Sequence, residues 1–475
     1  MALVSLFSAT LVAVAEEPSR ATIYGTDSQH LWNRLHAVLF VRRGSDGNTY
    51  GNDRLEPLLW PASKHLIEER SRDRAVAVLD KFLDERGERL VDDPVKQAML
   101  QRDLWLVFNW LHGDHSTALM SEPKPSPDDI KTSQDQLLHR LAAVIGRLAL
   151  SPEDIQKLPD NYAAAVDSGK FAKQFDPDEP DEPFLPPDLL DKDGPWVCLG
   201  RADGPVAPEH LYEGGGNAFT NSAFLVFLRL PEGRTATLQL LKRLNAFDQP
   251  LMVRADEFED RHGFSYLPNP KLPPMPVGTQ VALVRQALLI DASNRVAASN
   301  LTESVQLRVY REVPAMSPET VAAAVVSGTQ ANRRARSWQS FFEFRLSRRE
   351  LFAGRTGGLV PLGIDERDFK TGFGAHPFDE FERHLAKDGS FAEISQQPIL
   401  KESCFACHRL PGTYSLNSYV NFRSSNLVRR RERDDTKRRP PTLVELSIGN
   451  AQSRAVEWKE ARTSWTALRK CLVRK

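Results

Sequence analysis

The sequence predicts an α+β chain of several domains. Three observations carry that expectation: apolar residues at helical spacing before residue 172, short apolar or alternating runs between 196 and 315, and a return to helical signals after about residue 370. A length of 475 residues exceeds one ordinary core, and at ~150 residues per domain it suggests about three. The boundaries read as an export signal at 1–15, a helical domain at 16–172, an acidic Pro-rich linker at 173–195, a β-rich domain at 196–315, and a C-terminal region at 316–475. The last part of that region, from about 370 to 475, has the length of one small, mainly helical domain.

The helical domain is read from periodicity. Leu137, Leu138, Leu141, Val144, Ile145 and Leu148 fall on one helical face. Leu104 to Leu111 reads LWLVFNWL, apolar nearly all round, as a buried helix is. Ser151-Pro152-Glu153-Asp154 is a helix start: a hydroxyl cap, Pro at the first helical position and acids in the first turn. The DPDEPDEP and PPD runs that follow repel one another and predict an extended linker or a surface wrap.

In the middle, Ala223–Leu230 and Val281–Ile290 are short apolar strands, and Val305, Leu307 and Val309 alternate with Gln306, Arg308 and Tyr310. These runs suggest a small sandwich, with a helix at Thr235–Leu244 and a Pro-rich loop at Leu267–Pro276. Ser317-Pro318-Glu319 opens another helix. A Gly- and Arg-rich connection, a helix at Pro377–Ala386 and a terminal helix at Ala455–Leu472 complete the chain.

Composition excludes several classes. Hydrophobic content of 41% and charged content of 26% fit a folded chain and not a disordered one. With 62 basic and 63 acidic residues, the formal charge of -1 gives no overall signal for nucleic acid or a membrane surface. Ala2 to Val14 is almost wholly apolar or small, Ala13-Val14-Ala15 has the small-x-small form of a signal-peptidase site, and Glu16-Glu17-Pro18 turns polar. That pattern predicts export to the periplasm or beyond, although no basic residue precedes the apolar run. No later stretch is long and apolar enough to predict a mature transmembrane helix. Neither HExxH nor G-x-S-x-G occurs.

One motif carries chemistry. Cys404-Phe405-Ala406-Cys407-His408 reads C-x-x-C-H. Two thiols three positions apart reach the two vinyl groups of one porphyrin, and the adjacent imidazole reaches its iron. The bland readings are a thioredoxin-like redox pair, which no βαβ pattern precedes, and a zinc site, for which no second C-x-x-C or H-x-x-x-H supplies the fourth ligand.

In these residues the chain resembles the c-type cytochromes. The resemblance covers the motif firmly and the last stretch, from about 370, loosely; it implies a cytochrome c-like fold there, one covalent haem c, and electron transfer. By it, Cys404 and Cys407 are thioether anchors and His408 is the proximal iron ligand. The chain departs from the common pattern in that all six methionines (Met1, Met99, Met120, Met252, Met275 and Met316) precede the motif. The sixth iron position is left to a histidine, a lysine, a remote methionine, or no protein ligand; His376 and His384 are the nearest histidines upstream, and a solvent-facing role suits both better.

Weaker signals accompany the motif. Arg429 to Arg439 holds seven basic residues against three acids: a docking patch for an acidic redox partner, a neutraliser of haem propionates, or simply an exposed loop. His112-Gly113-Asp114-His115 suits a helix-ending turn better than a metal site. Glu213-Gly214-Gly215-Gly216-Asn217 lacks the ending of a phosphate loop. Cys198 and Cys471 are either a disulfide or two isolated thiols, and Trp458 and Trp465 pack a helix face. Three functions follow: an electron carrier; a haem enzyme or a sensor of gas or peroxide with an open iron; or a non-haem binding protein with a redox C-x-x-C.

Overall fold

The computed structural model describes residues 20–43, 49–54, 66, 69–113, 127–202, 206, 221–248, 250–253, 266–313, 338–366, 412–415 and 442–473. The chain is a mixed α+β protein, with a helical layer and a large antiparallel sheet.

Four helices lead: α1 (Leu31–Phe40), α2 (Glu69–Asp84), α3 (Pro94–His112) and α4 (Pro127–Arg147). Asp93 caps α3 by accepting from the Val95 and Lys96 amides, and Pro94 costs nothing at the first position, where no intrahelical donor is needed. The LWLVFNWL run forms the second half of α3, and all of it but Asn109 is buried. It is apolar all round because α3 lies between α4, the sheet and the last helix of the chain. Two short helices follow, α5 (Pro152–Gln156) and α6 (Asn161–Asp167); Ser151 caps α5 as its sequence predicts.

The sheet has seven antiparallel strands in the order β10-β9-β8-β7-β4-β3-β11. They are β3 (Val197–Arg201), β4 (Ser222–Arg229), β7 (Gln280–Ile290), β8 (Val296–Tyr310), β9 (Gln339–Leu346), β10 (Leu359–Pro361) and β11 (Leu443–Glu445). Two ribbons stand apart from it, β1 (Arg42–Arg43) with β2 (Thr49–Tyr50) and β5 (Leu251–Val253) with β6 (Tyr266–Pro268). Among the described residues these seven strands form a single sheet covered by helices and not the sandwich that the strand runs suggest. Strands also come from beyond residue 315: β9, β10 and β11.

Strand alternation sorts the core. Leu225, Phe227, Ala282, Val284, Val305, Leu307, Val309, Phe342 and Phe344 pack on one face with α6 and with Phe184, Leu185 and Leu189. The acidic stretch is therefore a wrap: most of its carboxylates face water, Asp188 accepts from the Trp196 indole, and those three side chains are buried. Phe224, Val226 and Leu228 point the other way, against Leu240, Leu241 and Leu244 of α7 (Arg234–Asn245).

The β7–β8 hairpin shifts register near Arg285 and Gln286, and its far end packs against the helical layer. Such bulges bend a hairpin and raise its twist. The Gln101 side chain of α3 pairs with Ile290 at that end twice, Nε2 donating to its carbonyl at 2.8 Å and Oε1 accepting from its amide at 2.9 Å. Asn161 does the same for Thr302 in β8 and also donates to the Gly357 carbonyl at 2.8 Å.

The chain end returns into this core. β11 pairs with β3, α9 (Ile448–Glu460) crosses β4 and β8, and α10 (Thr463–Val473) packs on α3 and α4. The single terminal helix that periodicity suggests is thus two, turning at Ala461 and Arg462. Trp465, Leu468 and Leu472 join the cluster built by α1 to α4. Among the described residues no helix is long and apolar enough to cross a membrane.

Candidate functional site

Cys404, Cys407 and His408 lie outside the described residues, as do His376, His384 and the basic run Arg429 to Arg439. So do the helices expected after Ser317 and at Pro377–Ala386, and the 213–217 turn. The structure begins again four residues after His408, in one 3-10 turn at Gly412–Ser415. Thr413 is buried there and its Oγ1 donates to the Pro273 carbonyl at 2.8 Å. Gly412 has φ +59°, and a β-carbon on it would meet Val313 Cγ1 at 3.4 Å and Met275 Cβ at 3.6 Å. The segment that follows the motif is therefore seated on the Pro-rich loop ahead of β7.

A second cluster of functional-type groups lies between α3 and the sheet, and sequence reasoning missed it. A short helix α8 (Arg348–Phe352) follows β9. Its first residue, Arg348, grips Asp103 with both prongs, Nε to Oδ2 at 2.7 Å and Nη2 to Oδ1 at 2.6 Å. Arg102 pairs with Glu303 of β8, and Ser222 donates to the same carboxylate. In β9, Arg345 pairs with Glu343 at 2.7 Å. Asp53 caps α8, accepting from the Arg349 amide at 2.9 Å and the Ser347 hydroxyl at 2.7 Å, while Arg54 pairs with Glu366.

Arg102, Asp103, Glu303, Glu343 and Arg348 are all buried. Burial works against the Arg348 charge, but Asp103 outweighs it and holds its pKa above the usual guanidinium value. The space among these groups is about 10 Å³, room for about one water. Guanidinium groups do not exchange protons at ordinary pH. The cluster thus offers an ion-pair network that ties α3 to β8 and to α8, with a further pair inside β9.

His36 sits beside this network. It is fully buried and its Nε2–H donates to the Gly51 carbonyl at 2.8 Å. Burial pushes its pKa down to about 4, against opposing pulls from Asp103 and Asp53 and a further lowering by Arg348. Gly51 has φ +73°, and a β-carbon there would lie 2.0 Å from the Phe40 carbonyl oxygen, so only glycine fits. The unfolded chain takes up the His36 proton near pH 6.5, while the folded chain refuses it until about pH 4. Stability should therefore fall as pH drops through that window, by about 3 kcal/mol from this group. The urea midpoint of His36→Gln should vary less between pH 7 and pH 4.5 than that of the parent; equal pH dependence in the two would exclude His36 as the source.

The remaining candidates resolve simply. Cys198 is buried in β3, where burial pushes its thiol pKa up to about 12, and it forms no disulfide with Cys471 of α10. His112 stacks on Phe108 and Gly113 ends α3, while Asp114 and His115 lie outside the described residues. Trp465 is core, while Trp458 is partly buried beside Arg462. Among the described residues no three or more His, Cys, Asp or Glu are placed to hold a metal ion. No known protein-family model, no curated protein and no solved structure matches this chain.

Proposed function

We propose that the protein is an exported, c-type cytochrome-like electron carrier with one covalent haem c. The observation that carries this reading is the run Cys404-Phe405-Ala406-Cys407-His408. Each thiol would add across one vinyl group, sulfur to one carbon and hydrogen to its neighbour, so attachment would consume no oxidant. The donor set suits the group: two soft sulfurs for the porphyrin edge and a neutral imidazole for iron. The haem supplies a one-electron couple. Cys404 and Cys407 would fix its position, His408 would hold its iron, and Arg429 to Arg439 would offer positive charge to an acidic redox partner or to the propionates.

The leader-like run at residues 1–15 supports maturation in the periplasm or another exported compartment.

The test is an intact mass of protein matured in a haem-attaching, exporting host. A mass about one haem (~616 Da) above the polypeptide is expected, and Cys404→Ser with Cys407→Ser should remove it. Colourless protein whose two thiols can still be alkylated would favour a non-haem protein with a redox C-x-x-C.

A second reading, a haem enzyme or a gas or peroxide sensor, is favoured by the lack of any methionine after the motif. Carbon monoxide binding to the reduced native protein would favour it over the carrier.

A further inference from the structure

We propose that the space between α3 and the sheet binds one small monatomic anion, a chloride ion. The proposal does not depend on the haem reading.

The wall of this space carries the argument. Five guanidinium groups line it, from Arg54, Arg102, Arg285, Arg345 and Arg348, against two carboxylates, Glu303 and Glu343. The arginines are brought together by the fold and not by a local motif: α3 gives Arg102, β7 gives Arg285, β9 gives Arg345 and α8 gives Arg348. Strand register puts two of them in one row. Arg285 stands opposite Ser304 of β8, and Ser304 stands opposite Arg345. Cross-strand partners share a face and strands lie about 4.8 Å apart, so two cations flank a hydroxyl with about 10 Å between their backbones. Arg102 and Arg348 reach the same space from the helices.

Arg102, Arg285 and Arg348 are buried, and the Arg345 side chain is only 11% exposed. Like charges gathered away from water raise the energy of the fold, and an anion among them lowers it. The two carboxylates of the wall would repel such an ion, but each is turned to a donor. Glu303 is held by Arg102 and Ser222, and Glu343 by Arg345. Asp103 and Glu366 hold Arg348 and Arg54 without lining the space themselves.

Size selects the ion. The space is about 10 Å³, enough for one water-sized body. Chloride is only slightly larger than water, whereas phosphate, sulfate and carboxylates bring several heavy atoms each. Arg54 keeps 35% of its side chain exposed and marks the way in.

The experiment uses the full-length protein at fixed ionic strength, with sodium gluconate exchanged for sodium chloride. The thermal midpoint should rise by about 1–2 °C for each tenfold of chloride beyond half-saturation. Arg285→Gln, which withdraws one cation from the wall, should lose that dependence. Sulfate in place of gluconate should shift parent and variant alike. Crystals of the parent grown with bromide should show an anomalous peak among Arg102, Arg285 and Arg345, which decides the matter if the variant does not fold. An equal chloride response in parent and variant, a difference between them as large for sulfate as for chloride, or a water alone at that place overturns the proposal.

Discussion

Asp103→Ala is expected to cost the fold about 3–5 kcal/mol, seen as a large drop in the urea midpoint. The carboxylate is fully buried, holds Arg348 at 2.6 and 2.7 Å, and lies 3.4 Å from Arg102. Removing it strands the Arg348 charge, because Asp53 offers only its backbone carbonyl to that guanidinium, at 3.2 Å. The penalty comes from the charge left behind more than from the pair lost. The double variant Asp103→Leu with Arg348→Met should therefore recover much of the stability. A single substitution costing under about 1 kcal/mol would mean that water reaches Arg348, contrary to its burial.

Trp105→Ala should be of similar size, about 3–5 kcal/mol, for a different reason. The indole is fully buried between α3 and α10, with the Trp465 ring 5.8 Å away. Lys459, itself fully buried, places its ammonium 5.0 Å over the Trp105 ring. Truncation opens a cavity and withdraws the aromatic face from a buried cation at once. Trp105→Phe keeps most of the volume and a weaker face, and should lose less than half as much. Thermal unfolding checks both, and equal losses in the two variants would assign the effect to the indole itself and exclude the missing volume as its source.

Much of the architecture was legible in residue patterns. The apolar run in α3, the Ser151 cap, the β4 and β7 runs, the Val305-Leu307-Val309 alternation and α7 all lie where spacing places them. What escaped was decided by tertiary partners. The β9 run QSFFEFRL carries Glu343 and Arg345, whose charges read as a connecting loop until each is seen to neutralise the other. β11 is three residues long, too short to leave a pattern, and exists because β3 offers an edge.

The ion network had one visible trace: Arg102-Asp103 standing directly before an all-apolar helical run, where charge is expensive without partners. The partners come from residues 303 and 348, a distance that local reading does not bridge. The candidate haem site is the reverse case. It is legible only as sequence, because Cys404, Cys407 and His408 lie outside the described residues.

The return of the chain end has a consequence for synthesis. The helical cluster that Trp465, Leu468 and Leu472 complete begins at Ile23, so its first members emerge from the ribosome long before its last. Until the chain beyond residue 442 has been made, β3 lacks its outer neighbour and α3 and α4 lack their cover. A polypeptide stopped early would display that apolar surface to proteases and chaperones.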